Sequence, residues 1–313
     1  MSEAIRDTAD RLAREVRKVV VGQDAVVELL LAAVCVSGHV LIEGVPGMAK
    51  TLLGNALARA MAVDFRRAQF TPDMQPHDIT GDMVTGQLGT TFRRGPVFTN
   101  FFLADEINRT PPRTQAALLE VMQERQVTMD GKTHHLPDPF FVIATQNPAD
   151  QQGTYPLPES LLDRFLFKIT MEYPSKQHEV AMLHLAHEGI APATLGEVEP
   201  VLISADLLEA RALVDDTHVP EEIAEFVATV VRITREMPTV TLGASPRAAV
   251  HLLVASKAAA RLAGRNRVTA EDVIHMAIPV LRHRVSLRSD ATFDQYTADD
   301  AIRFALSSAP VPG

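Results

Sequence analysis

The sequence predicts an α/β domain built on a five-stranded parallel sheet, followed by a mostly helical second domain, and two observations carry that expectation. Up to about Pro174, short apolar runs alternate with amphipathic stretches of helical period, the pattern of parallel strands covered by helices. Beyond Pro174 the β-like runs fade. Stretches such as LLEARALVDD, EEIAEFVATVVRITREM and SPRAAVHLLVASKAAARLA repeat apolar residues three and four apart, as helices do. The expected division is therefore 1–173 and 174–313, with the joint at Tyr173, Pro174 or Ser175 and a looser stretch at GIAPATLGEVEP.

The expected strands are His39 to Glu43, Phe65 to Phe70, Val97 to Ala104, Phe140 to Thr145 and Phe165 to Thr170. Several are apolar throughout, which suits strands buried on both faces. Two hairpin insertions interrupt this domain. One spans about 78–95, punctuated by glycines at 81, 86, 89 and 95; the other spans about 126–136, where Asp130-Gly131 suits a two-residue turn of positive φ. In the second domain Ser245 reads as a helix N-cap and Pro246 as the first helical residue.

A chain of 313 residues, 46% hydrophobic and 22% charged, is long enough for about two ordinary domains and has the composition of a folded globular protein. Its longest uninterrupted apolar stretch, Leu29 to Val36, is far short of the roughly 18 to 20 residues of a membrane span, and the mixed-charge start MSEAIRDTADRLAREVRK lacks the apolar core of a secretory signal. A cytoplasmic protein is expected. Cys35 is the single cysteine and lies in an apolar run, so it reads as a small buried hydrophobe. The net charge of −9 repels nucleic-acid phosphates, and with no Trp and three Tyr there is little to stack bases on. The arginines at 261, 265, 267, 282, 284 and 288 read better as a solvated or subunit-facing surface than as a nucleic-acid patch. His178, His184 and His187 are spaced six and three apart, not the i, i+4 spacing of a helical metal pair.

The chemistry concentrates in the first domain. Gly44-Val45-Pro46-Gly47-Met48-Ala49-Lys50-Thr51 follows the first apolar strand and precedes the helical LLGNALARAM, giving strand, glycine-bearing loop and helix. Such a loop turns backbone N–H groups toward a polyphosphate, adds the charge of Lys50, and offers the hydroxyl of Thr51 to Mg²⁺. Ala49 stands where the pattern G-x-x-x-x-G-K-[ST] has its second glycine, a change expected to cost little if that residue keeps an ordinary φ. Phe101 to Glu106 then delivers two carboxylates, Asp105 and Glu106, at a strand's C-terminal end, the edge where open α/β sheets bind ligands. Asp105 would hold Mg²⁺, mostly through water, and Glu106 would polarise an attacking water. Asn147 ends the fourth strand and would orient that water or sense the terminal phosphate. Two readings stand for Arg164: it stabilises charge on a transferring phosphoryl group, often from a neighbouring subunit, or it pairs with an acid such as Asp163. Arg247, in a helical first turn where negative charge is favoured, points to an anionic partner or to a salt bridge with the first domain.

Taken in that order these features resemble an AAA+ ATPase, and more narrowly the MoxR type. The segments that carry the resemblance are GVPGMAKT, FTPDMQPHDITG, GPVFTNFFLADEINRTPPRTQAALLEVMQERQVT, ATQNPADQQGTYPLPESLLDRF and LGASPRA, within about 21–285. The resemblance implies a P-loop NTPase fold with a helical lid, and ATP with Mg²⁺ as ligands. Val21, Gly22 and Gln23 would lie by the adenine. Gly44, Pro46, Gly47, Met48, Ala49, Lys50, Thr51 and Leu52 would surround the phosphates. Lys50 and Thr51 correspond to Walker A, Asp105 and Glu106 to Walker B, Asn147 to sensor 1, Arg164 to the arginine finger and Arg247 to sensor 2, with Thr51 and Asp105 on the metal. It also implies hexameric rings of the helix-2-insert branch, acting as chaperones or maturation factors, often with von Willebrand factor A domain partners and sometimes in metal-cofactor insertion. Two other functions stay open beside a remodelling motor: a nucleotide-gated assembly scaffold whose turnover is incidental, and a DNA-translocating ring.

Overall fold

The computed structural model describes residues 2–45, 47–86, 89–147, 153–187, 194–289 and 295–312. Helices α1 (Ser2–Arg17) and α2 (Asp24–Cys35) lead into β1 (His39–Glu43), and α3 (Lys50–Ala60) follows it. The sheet is completed by β2 (Phe65–Gln69), β5 (Phe101–Asp105), β8 (Phe141–Gln146) and β9 (Phe165–Thr170), all parallel, in the order β2-β5-β8-β1-β9.

Strand periodicity explains the layering, because alternate residues face opposite sides. Val40, Ile42, Phe101, Leu103, Phe141 and Ile143 enter one buried cluster with Leu53, Ala56 and Leu57 of α3. Leu41, Phe102, Ala104, Val142 and Ala144 enter a second with Leu118 and Val121 of α5 (Pro112–Glu124). Covered on both faces, β1, β5 and β8 have no polar face to show, which is why they read as continuous apolar runs. The third strand begins at Phe101 and not at Val97. The Phe98 and Thr99 amides bond locally to Gly95 and Val97, and the Val97 amide bonds to Ile79, so these residues close the base of an insertion and leave the sheet.

That insertion is the antiparallel pair β3 (Gly81–Gly86) and β4 (Gly89–Arg94), entered through the short helix α4 (Pro76–Thr80); residues 87–88 lie outside the described residues. The second insertion is β6 (Gln126–Met129) with β7 (Lys132–His135), and its turn residues Asp130 and Gly131 take φ of 51° and 71° as expected. Phe92 of one hairpin stacks on His134 of the other, with ring centroids 4.3 Å apart, so the two insertions form one unit.

The short helix α6 (Glu159–Leu162) precedes β9, and beyond β9 lie α7 (Lys176–His187), α8 (Ser204–Asp215), α9 (Glu221–Glu236), α10 (Pro246–Leu262), α11 (Ala270–Leu281) and a C-terminal helix Ala298–Ser308. A short antiparallel ribbon, β10 (Val240–Leu242) with β11 (Ser286–Leu287), accompanies them. Helix α9 buries Ile223, Phe226, Val227, Val230 and Val231, the stripe its spacing predicts. Ser245 accepts a bond from the Ala248 amide at 3.2 Å and Pro246 opens α10, as expected for a capped start. Of the stretch GIAPATLGEVEP, 189–193 lie outside the described residues.

The six second-domain arginines form no patch. Arg261 and Arg284 are buried, and Arg265, Arg267 and Arg282 pair with Asp272, Glu222 and Asp299. Spacing gave no sign of these acids. Cys35 is buried, and burial pushes its thiol up to about 11. Among the described residues no helix is long and apolar enough to cross a membrane.

Candidate nucleotide site

Strands β5, β8 and β1 are neighbours in the sheet, so the residues at their C-terminal ends share one edge. The loop after β1, the carboxylates at the end of β5 and Asn147 after β8 meet there, at the usual ligand-binding edge of an open α/β sheet. Pro46 lies outside the described residues.

Lys50 begins α3, and its Nζ donates to the Gly44 carbonyl at 2.5 Å, drawing the loop back on its own start. Burial holds its pKa below the usual lysine range, against the opposing pull of Asp105, Glu106 and Glu43. The three carboxylates favour the protonated ammonium, and partial burial strengthens the contact it can make with a phosphate. Gly47 and Ala49 both take left-handed backbone, with φ of 85° and 56°. The condition under which alanine costs little here, an ordinary φ, is not met: the loop must curl before α3 starts, and the Ala49 methyl group bears that strain. Ala49→Gly is expected to raise unfolding stability by about 0.5–1 kcal/mol, the relief of left-handed strain less the entropy glycine loses on folding. Denaturant midpoints measure this, and an unchanged or lower midpoint refutes the strain.

Asp105 is held from both sides. Its Oδ1 accepts from the Thr145 hydroxyl at 2.5 Å, and its Oδ2 from Arg67 at 2.7 and 3.0 Å. Glu106 takes left-handed backbone at φ 58°, the kind of strained conformation that clusters at functional sites. Its amide donates to Thr145 Oγ1 at 2.9 Å, while its Oε2 lies 2.8 Å from Gln69 Nε2 and 3.0 Å from Arg109 Nε. Thr145 therefore holds the Asp105 carboxylate through its proton and the Glu106 backbone through its lone pair. Beside it, Gln146 donates to Glu43 at 2.7 Å, and Asn147 is buried.

Sequence reasoning assigned no role to Thr145, Arg67, Gln69 or Arg109. Arg67 and Gln69 could have been found. They alternate on β2, whose FRRAQ reads far more polar than the other strands, and they end at the carboxylate edge.

Beside the loop opens a cavity of about 480 Å³, within the range of small-molecule pockets. Val19, Val20, Val21 and Gln23 form one wall, Met48, Ala49 and Leu52 a second, and Tyr173, Pro174, Met182 and Leu183 a third. Gly22 has φ 76°, and a Cβ there would come within 2.8 Å of His178, so the backbone at 21–23 runs tight against α7. The mostly apolar lining suits a planar base, with the loop positioned for its phosphates.

Arg164 and Arg247 do not join this edge. Arg164 precedes β9, whose first residue, Phe165, pairs with His39 at the start of β1. At about 3.3 Å per residue, the length of β1 puts it roughly 15 Å from the loop. Arg247 Nη1 lies 3.3 Å from Asp163 Oδ2, so the salt bridge to the first domain is formed and Arg247 sits with Arg164 at the far edge. Of the two readings for Arg247, the salt bridge to the first domain is the one formed, because Asp163 anchors it there. Asp163 also accepts from Arg284 Nε at 2.9 Å and from Ser245 at 3.3 Å. The buried Arg284 donates in addition to the carbonyls of Phe165 and Leu166.

A looped β1-to-α3 turn, a carboxylate pair two strands away and a helical appendage define an AAA-type P-loop ATPase. The chain matches the ATPase family associated with various cellular activities (AAA) over residues 39–167 and the AAA lid domain over 232–303. It is 41% identical to "Chaperone MoxR1" of Mycobacterium tuberculosis, over 97% of this chain and 82% of that one. It is 42% identical to "Uncharacterized protein YeaC" of Bacillus subtilis, over 99% and 97% of the two chains. A crystal structure of a putative ATPase from Cytophaga hutchinsonii superposes with a TM-score of 0.91 at 38% identity, covering 100% and 97%. The chain belongs to the MoxR family of AAA+ ATPases.

Proposed function

We propose that this protein is an ATP-hydrolysing ring subunit that remodels client proteins. ATP docks its base in the cavity beside Val21–Gln23 and its phosphates on the loop from Gly44 to Leu52. Lys50 supplies charge, Glu106 polarises the lytic water, and Asn147 orients it. The oxygen donors of Thr51 and Asp105 fit a magnesium ion, which needs only one or two protein ligands beside phosphate and water and, when bound, neutralises charge on the β- and γ-oxygens. The domain boundary is best drawn at Tyr173–Pro174, where chain leaving the sheet turns to line the cavity.

One observation carries the ring. Arg164 and Arg247 stand at the sheet edge opposite the loop, out of reach of nucleotide on their own chain, so they serve a neighbour's. A head-to-tail contact of that kind gives a ring when its rotation closes, and six subunits is the number the family resemblance implies. A protein client, such as one bearing a von Willebrand factor A domain or awaiting a metal cofactor, agrees with the chaperone named among the relatives. The insertion pair, joined through Phe92 and His134, is the natural moving part.

Isothermal titration calorimetry tests the reading at its root. Mg-ATP is expected to bind the purified protein with micromolar affinity and Lys50→Ala to abolish the heat. Absence of uptake at millimolar nucleotide overturns it. A client is sought by co-purification with Glu106→Gln, which should hold the ring in its ATP-bound form.

A further inference from the structure

The far edge of the sheet holds more positive charge than the two arginines named so far. A cavity of about 350 Å³ opens between the start of β1, the end of α5 and the first turns of α10, and Arg125, Arg164 and Arg247 all line it. None of the described residues lining it is acidic. Its two imidazoles add no charge at neutral pH. His39 accepts from the Val142 amide at Nδ1 and contacts the Met122 carbonyl through Nε2, and burial holds it down at about 4. Burial and the neighbouring Arg284 hold His251 at about 4 as well.

The acids nearest these arginines lie outside the cavity and balance them poorly. Asp163, which pairs with Arg247, is already committed to the buried Arg284. Asp138 stands 3.8 Å from Arg125, beyond hydrogen-bond reach, and both side chains are substantially exposed. Arg164 Nε is buried with no hydrogen-bond partner. Arg125 also closes α5 in left-handed backbone at φ 50°, where glycine or asparagine would be easier. Three converging guanidinium groups repel one another, and an anion of several charges with oxygens to share is what such a pocket takes.

We propose that Arg125 is a third contact to the triphosphate held by the neighbouring subunit, closing with Arg164 and Arg247 a three-arginine clamp. This rests on the ring reading above. His39 positions the clamp, since its bonds to Met122 and Val142 tie the end of α5 to the sheet. As the bond to the leaving group breaks, its electron pair goes to the leaving β-phosphate oxygen while the remaining charge is spread over the three oxygens of the transferring group, so Arg125 contributes to turnover more than to uptake.

The experiment compares Arg125→Ala, Arg125→Lys and Arg164→Ala by steady-state phosphate release and by calorimetric ATP binding to each subunit's own loop. Arg125→Ala is expected to lose about ten- to hundredfold in kcat, the loss of one charge-assisted contact, with own-loop affinity and thermal midpoint unchanged. Arg125→Lys is expected to keep part of the activity. Mixing Arg125→Ala with Lys50→Ala subunits is expected to restore turnover, because the Lys50→Ala chain supplies an intact Arg125 to a neighbour with a working loop. If Arg125→Ala turns over within twofold of the parent while Arg164→Ala is dead, the third contact is refuted and the ring reading stands. If both keep full activity, the ring reading itself fails. Loss that mixing does not repair puts Arg125 to work within its own chain and overturns the proposal. Should Arg125→Ala not assemble, Arg125→Gln carries the same readouts.

Discussion

Arg164→Ala is expected to slow ATP hydrolysis by about 10³- to 10⁵-fold, the range over which an arginine on the transferring phosphoryl group acts, while ATP uptake stays intact. The fold separates the two effects. On the proposed reading nucleotide docks on the loop after β1, whereas Arg164 precedes β9 at the other end of the same strands, one strand length away. Its Nε is buried without a partner, so the truncation breaks no hydrogen bond at that atom and should leave the thermal midpoint nearly unchanged. A mixture of Arg164→Ala and Lys50→Ala subunits should recover activity. In a head-to-tail ring mixed one to one, about a quarter of interfaces join a working loop to an intact Arg164. Phosphate release that falls strictly with the fraction of each variant rules out action across an interface.

Glu106→Gln is expected to cut phosphate release by about 10²- to 10⁴-fold and to leave ATP bound. The amide keeps the shape of the carboxylate and can still meet Gln69 and Arg109, so the edge of β5 remains in place, but it no longer draws a proton from water. Trapped ATP, read by filter binding over hours, separates a motor from a scaffold. A motor stalls with nucleotide loaded and with client attached, whereas a scaffold with incidental turnover assembles and works as before. Release at the parent rate removes Glu106 from its role.

The positions of the two key elements were legible because their physics is local. A turn of backbone amides between strand and helix, and a carboxylate pair at the end of an apolar strand, are each specified within eight residues, Gly44–Thr51 and Phe101–Glu106. Thr145 escaped because its value lies in geometry between strands: its hydroxyl reaches Asp105 only once β8 lies beside β5. The strain at Ala49 stayed open because φ at one residue depends on where the following helix begins, and a methyl group leaves no mark in the sequence pattern. The burial of Arg261 and Arg284 and the ion pairs of Arg265, Arg267 and Arg282 were hidden for a related reason, because local spacing cannot report a partner such as Glu222, 45 residues from Arg267.

From the chain alone came the class of fold, the loop, the carboxylates and the kinship, since period, turn chemistry and short motifs are written in consecutive residues. The folded molecule decided which edge each group occupies. Parallel strands send their two ends to opposite edges of the sheet, so Lys50 and Arg164, joined by one continuous chain, stand at different edges. The register of β1 on β9 places Arg164, and the Asp163 anchor keeps Arg247 beside it. Both are contacts between distant segments, and only packing brings those together.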